Sequence, residues 1–165
     1  MKHIKLSNRL QVLADLVKDG ASIIDVGSDH GYLPVYLAQK DKCKRIIASD
    51  ISPASLSAAR RSAENFLLTE AITFLVMPGL DGITAAVVDT IVIAGMGGET
   101  IVGILQDAPW TNHWSINLIL QPQSKRNILF RYLYDNGYDI IRNISVTDKR
   151  RQYTVIQAAG RSSKP

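Results

Sequence analysis

One short run, Asp25-Val26-Gly27-Ser28-Asp29-His30-Gly31, places two carboxylates, an imidazole and two glycines within a single turn. Gly27 allows a tight turn and a close backbone approach. A turn of this kind, leading from a strand into a helix, aims unpaired helix N–H groups at a ligand. A pyrophosphate suits such donors but not the neighbouring Asp29. Two like charges about 4 Å apart repel by roughly 4 kcal/mol at an intermediate dielectric. A cationic group gains from the same carboxylate, and Asp25 strengthens that preference. The alternative is structural: Asp25 and Asp29 cap the turn and the helix.

Three further places carry chemistry. Asp50, followed by Ile51, stands 23 residues beyond Gly27. That is close to the spacing of about 20 at which an acid grips ribose hydroxyls. A charged hydrogen bond of that kind contributes roughly 1.5–3 kcal/mol. The alternative role for Asp50 is to cap the next helix, but Ser52 is placed to do so, which favours the ribose. Next come Met77-Pro78-Gly79-Leu80-Asp81-Gly82 and Ala94-Gly95-Met96-Gly97-Gly98. Clustered glycines mark tight turns or backbone lying close to a ligand. The second cluster is expected to form a flat, open floor. A cation-tolerant turn, a ribose acid and two glycine loops together suit S-adenosylmethionine better than a dinucleotide.

These residues need a scaffold that brings them together. Leu6, Leu10, Leu13 and Val17 recur at helical spacing, with Ser7 as N-cap and Gly20 beyond the end. Ile23, Ile24 and Val26 form a first strand, followed by Arg45–Asp50, Ala71–Val76, Thr90–Gly95 and Asn117–Gln121; the apolar runs at their centres are the pattern of a sheet covered on both faces. Helices are expected over Gly31–Gln39, from Ser52 and Pro53 onward, over Glu99–Gln106 and over Lys125–Asn136. Ala108–Ser115 is expected to be loop. Tyr138–Val146 and Arg151–Ala158 alternate more and predict an antiparallel pair. The result is an α/β doubly wound, mostly parallel seven-stranded sheet with a C-terminal antiparallel hairpin. Ligands bind such sheets at the carboxyl ends of the strands, where every residue singled out above falls.

Length and composition agree. The 165 residues suggest one domain over 1–160 and a basic tail at 161–165. The lone cysteine, Cys43, excludes an internal disulfide. No apolar run approaches the roughly 20 residues of a membrane span, and Met1–Leu10 lack the apolar core of a leader. A cytoplasmic protein without membrane association is expected, and no metal. From Lys125 onward nine basic residues face three acidic ones, a net of +6 against −2 for the remainder. Such asymmetry suits a polyanion such as nucleic acid, or is simply a solvated basic surface.

The run "DVGSDHGYLPVYL" resembles the D-x-G-T-D-H-x-x-L-P signature of the bacterial tRNA (adenine-22-N1)-methyltransferases. "LSNRLQVLADLV", "IVIAGMGGETIVGIL", "LILQP" and "YDNGYDIIRN" are similar to the same family in the same order. The resemblance implies a class I (Rossmann-like) methyltransferase fold, S-adenosylmethionine as donor and tRNA as substrate. It implies that Asp25, Gly27, Ser28, Asp29, His30 and Gly31 form the donor's first loop. Asp50 and Ile51 would border the ribose, and Gly79 and Leu80 the adenine. Ala94, Gly95, Met96, Gly97 and Gly98 would line the reacting centre. Arg9 matches a family arginine at the active-site mouth. Where the family has G-D-G-L, this chain has Met77-Pro78-Gly79-Leu80, so the acid is absent unless Asp81 substitutes. Where the family tends to carry a glutamate, this chain has Ile141-Arg142-Asn143. The family's C-terminal coiled-coil domain has no counterpart within these residues.

Asp29 and His30, with Met96, are the candidates for the chemical step; holding the turn is the alternative role for His30. Met96, Tyr32 and the Trp110–Trp114 loop are candidates to stack on a base, the tryptophans being alternatively packing residues. Two rivals stay open: a donor- or RNA-binding module without turnover, and a methyltransferase acting on a small molecule.

Overall fold

A computed structural model describes residues 3–161. In chain order the elements are α1 (Asn8–Leu16), β1 (Ala21–Val26), α2 (Tyr32–Gln39), β2 (Cys43–Asp50), α3 (Pro53–Glu64), β3 (Thr73–Val76), β4 (Thr90–Gly97), α4 (Gly98–Asp107), β5 (Asn117–Ser124), α5 (Arg126–Asp135), β6 (Tyr138–Asp148) and β7 (Arg151–Gly160). Of the tail expected at 161–165, Ser162–Pro165 lie outside the described residues.

Local chemistry explains the helix starts. The Ser7 hydroxyl accepts from the Leu10 N–H at 3.4 Å, and the Ser52 hydroxyl from the Ser55 N–H at 3.2 Å. Each satisfies one of the donors a helix leaves unpaired. Pro53, with no N–H to lose, occupies the first turn of α3.

The sheet order is β3-β2-β1-β4-β5-β7-β6. β1 to β5 run parallel, and β7 pairs antiparallel with both β5 and β6. The predicted hairpin is therefore present, with β7 inserted between β5 and the edge strand β6. Successive strand residues face opposite sides, and each side has its own core. Ile24, Ile91, Ile93, Leu118 and Leu120 pack under α4 and α5. Ile23, Ala48, Val92 and Ile119 pack under α1 and α2. Each of these fully buried Ile, Leu and Val side chains stabilises the fold by roughly 1.5–3 kcal/mol. This two-sided burial is why the central strands are apolar without alternation.

Strand order reverses about β1 and β4, and their carboxyl ends open side by side into a cleft.

Candidate active site

The cleft measures about 1030 Å³. That is at the upper end of the roughly 300–1,000 Å³ of small-molecule sites. It is bordered by Asp25, Gly27, Ser28, Asp29 and His30 after β1, by Asp50 and Ile51 after β2, by Met77, Pro78 and Gly79 after β3, and by Ala94, Gly95 and Met96 on β4. The fold thus gathers most of the residues singled out in the sequence.

Asp25 is the carboxylate of the floor. It is 6% exposed, and its Oδ2 accepts from the Ser28 hydroxyl at 2.6 Å. Burial pushes its pKa up to about 7; the Ser28 hydrogen bond opposes this, the nearby Asp50 charge adds to it and the Arg9 charge opposes it. Asp29 differs. Its side chain is 71% exposed, and its Oδ2 lies 3.9 Å from His30 Nε2 at the rim. The His30 ring stacks on Tyr32 with centroids 5.4 Å apart. The anion that faces the cleft from below is therefore Asp25, while Asp29 and His30 stand at its edge.

The first turn is not a phosphate cradle. The Gly27 and Ser28 N–H groups both donate to the Ser49 carbonyl, at 2.8 and 2.9 Å, and Gly31 N–H donates to Ser28 at 2.8 Å. Asp29 N–H reaches Asp50 Oδ2 at 3.3 Å. Four donors of the turn are engaged inside the protein, and all four precede the first residue of α2, Tyr32. Gly27 has φ +73°, and a Cβ there would overlap the Met96 methyl; Gly31 has φ +68°, and a Cβ would lie 2.7 Å from Ala59 Cβ. Both positions favour glycine on conformation and on space.

Asp50 does not cap α3. Its Oδ1 accepts from Ser52 N–H at 2.9 Å, leaving lone pairs of a half-buried carboxylate on the cleft side.

The glycine-rich stretch after β4 differs from an open floor. β4 continues to Gly97, with a bulge at Gly95, whose φ is +77°. Gly98 begins α4, where a Cβ would overlap the Lys125 carbonyl. Packing, not ligand access, demands that last glycine. A buried residue fixes the bulge: Gln121 Oε1 accepts from Gly95 N–H at 3.1 Å and from Arg9 Nη1 at 2.8 Å. Arg9 also lies 5.4 Å from the centroid of the Tyr153 ring. Tyr153 carries no motif signal; Gln121 lies in the run LILQP, as the polar residue that closes the apolar stretch, but nothing in that run announces its role.

Three expectations need correction. Leu80 is 6% exposed, belongs to the core under α4 and does not border the cleft. Asp81 lies not in the cleft but in an adjoining cavity of about 580 Å³ between the β3–β4 loop and α4. It therefore does not stand where the absent acid is expected, and Pro78 faces the cleft instead. Neither tryptophan borders the cleft: Trp110 packs against the core and the adjoining cavity, and Trp114 is exposed beside His113.

S-adenosylmethionine fits this residue set. A buried carboxylate suits its ammonium, a half-buried one its ribose, and four N–H groups of the turn are already paired within the protein. Residues 6–156 match a family model described as a methyltransferase domain. The chain is 34% identical to the tRNA (adenine(22)-N(1))-methyltransferase of Bacillus subtilis over 96% of its own length and 66% of that relative's. The crystal structure of the B. subtilis M1A22 tRNA methyltransferase TrmK superposes with a TM-score of 0.89, covering 96% of this chain and 68% of that one. Streptococcus pneumoniae Sp1610, solved with S-adenosyl-L-methionine, is 31% identical with a TM-score of 0.87, over 98% of this chain and 76% of that one. The chain thus spans about two-thirds of the length of the first of these relatives. With a match that runs from α1 into β7, the chain belongs to the methyltransferase-domain family and groups within it beside the tRNA (adenine-22-N1)-methyltransferases.

Proposed function

We propose that this chain transfers a methyl group from S-adenosylmethionine to N1 of an adenine in tRNA, position 22 being the one its relatives' names carry. The observation that carries this reading is the buried Asp25 carboxylate, set in the cleft floor where a phosphate cradle would otherwise lie. When bound, S-adenosylmethionine supplies a methyl carbon on a cationic sulfur, open to displacement by the in-plane lone pair of adenine N1. That lone pair is free without prior proton loss, so no general base is needed for attack. Positioning then carries most of the rate enhancement.

The chain's residues divide that task. Asp25, oriented by Ser28, holds the donor's ammonium, and Asp50 holds its ribose hydroxyls. Ile51 and Gly79 flank the adenine. Ala94, Gly95 and Met96 border the reacting centre, with the Gly95 bulge locked by Gln121. The methylated ring is cationic, so a carboxylate beside it stabilises the forming charge; Asp29, with His30, takes that role from the rim. An adenine inside a helix must leave its pair before N1 is reachable, and the cleft has room for it beside the donor. Among the described residues no helix is long and apolar enough to cross a membrane; the cytoplasm is the compartment proposed.

Pro78 in place of the family acid supports a second reading, a donor-binding module with little turnover. One assay separates them. The chain is incubated with radiolabelled S-adenosylmethionine and an unmodified tRNA transcript, and the nucleosides are resolved. Label in 1-methyladenosine is expected. Donor binding with no transfer would refute the enzyme and favour the module.

A further inference from the structure

Beside the cleft lies a second groove of about 400 Å³, between the start of α5 and the first residues of β7. Gln123 and Tyr153 border both spaces, so the two adjoin. Lys125, Arg126 and Arg151 line the groove, all are exposed, and no acidic residue lines it. Arg126 Nη1 donates to Thr154 Oγ1 at 3.3 Å, which holds the guanidinium across from β7. Lys125 pairs with Glu99 at 2.7 Å, and Glu99 stands outside the groove lining.

The hairpin next to it adds a second observation. Asp148 pairs with Arg151, so Lys149 and Arg150 form a two-residue turn. Both have positive φ, 47° and 66°. Such turns favour Asn-Gly, because side chains crowd the backbone there. Here two long cations occupy those positions, and Lys149 borders the cleft. Folding alone favours other residues at this turn; a polyanion running past it favours these.

We propose that this groove binds the phosphodiester backbone of the RNA strand flanking the nucleotide held in the cleft. The inference rests on the RNA substrate proposed above and adds where the strand runs: past the Lys149–Arg150 turn, over Tyr153 and between Arg151 and Arg126.

The test compares the full chain with its K125A/R126A/R151A variant, using Lys44→Ala, at the opposite end of the sheet, as control. A fluorescent unmodified tRNA transcript is titrated from low to moderate salt, and donor affinity, kcat and KM are measured in parallel. Each phosphate contact contributes roughly 0.7–0.9 to the slope of log affinity against log salt. The triple variant is expected to flatten that slope by about two to three and to weaken RNA binding about tenfold or more. Donor affinity and kcat at saturating RNA stay unchanged. A second variant, Lys149→Asn with Arg150→Gly, is expected to melt at higher temperature and yet bind RNA more weakly, which a merely structural turn would not do. Equal RNA affinity and equal slope in wild type and triple variant overturn the groove while leaving methyl transfer standing. Loss of RNA binding in the variants with no methyl transfer by the wild type overturns the function but supports the groove. Absence of RNA binding by the wild type, or equal competition by poly-glutamate, overturns the groove.

Discussion

Replacing Asp25 by Asn removes the carboxylate buried in the cleft floor while keeping its shape. Its pKa is raised from 3.8 to about 7, with burial the main cause. The folded protein therefore holds a proton on Asp25 that the unfolded chain has lost between about pH 4 and pH 7. Stability falls as pH rises through that window, by up to roughly 4 kcal/mol for a shift of about three units. A cationic ligand reverses the preference, because it pairs with the ionised form. Donor binding at pH 6 should release about 0.9 proton, and at pH 7 about half a proton. Below about pH 7 the affinity should drop nearly tenfold per pH unit. Titration calorimetry in two buffers of different ionisation enthalpy reads the proton release directly. In Asp25→Asn the pH slope disappears, and affinity at pH 8 falls by about ten- to a hundredfold, the contribution of a charge-assisted hydrogen bond. The same variant should melt at higher temperature than wild type at pH 8, since no charge is then buried. A wild-type affinity that does not change between about pH 5 and pH 8, or a slope that survives in Asp25→Asn, refutes the assignment of Asp25 to the cation.

Gly27→Ala should abolish donor binding and lower stability by about 1–3 kcal/mol, since it adds a side chain at positive φ against the Met96 methyl. Adding Met96→Ala should recover only the steric part, as a urea titration would show. Gln121→Ala leaves the Gly95 N–H and the Arg9 guanidinium without their acceptor. It should lose about 1–3 kcal/mol and reduce kcat; denaturation and single-turnover rates check each. Asp29→Ala removes an exposed side chain at φ +50°, a backbone conformation that Asp tolerates better than Ala, so it should cost about 1 kcal/mol of stability while reducing turnover. If donor affinity and turnover both stay at wild-type values, Asp29 has no part in the reaction.

The architecture was largely legible because its signals are local. Runs such as Ile91–Ala94 and Leu118–Leu120 are apolar at every position, which suits strands covered on both faces, and those strands lie at the sheet centre. Ser7 and Ser52 announced their helices through hydroxyls that meet N–H groups three residues away. Boundaries were less legible. The glycines after β4 read as a break, yet the strand runs on to Gly97 because the bulge at Gly95 absorbs the irregularity.

The sequence by itself determined which residues stand at strand ends, and so which chemistry the cleft can hold: two carboxylates near a glycine turn, and Asp50 one strand on. Tertiary structure alone decided which carboxylate is buried. Asp25 and Asp29 are four residues apart, but Asp25 lies inside β1, between β2 and β4, while Asp29 sits in the turn beyond them. It also decided that Leu80 belongs to the core, and that Arg9 meets Gln121 from 112 residues away. Burial and long-range pairing follow from strand order, which is set by how both faces of the sheet are covered at once; no short stretch of sequence contains that information.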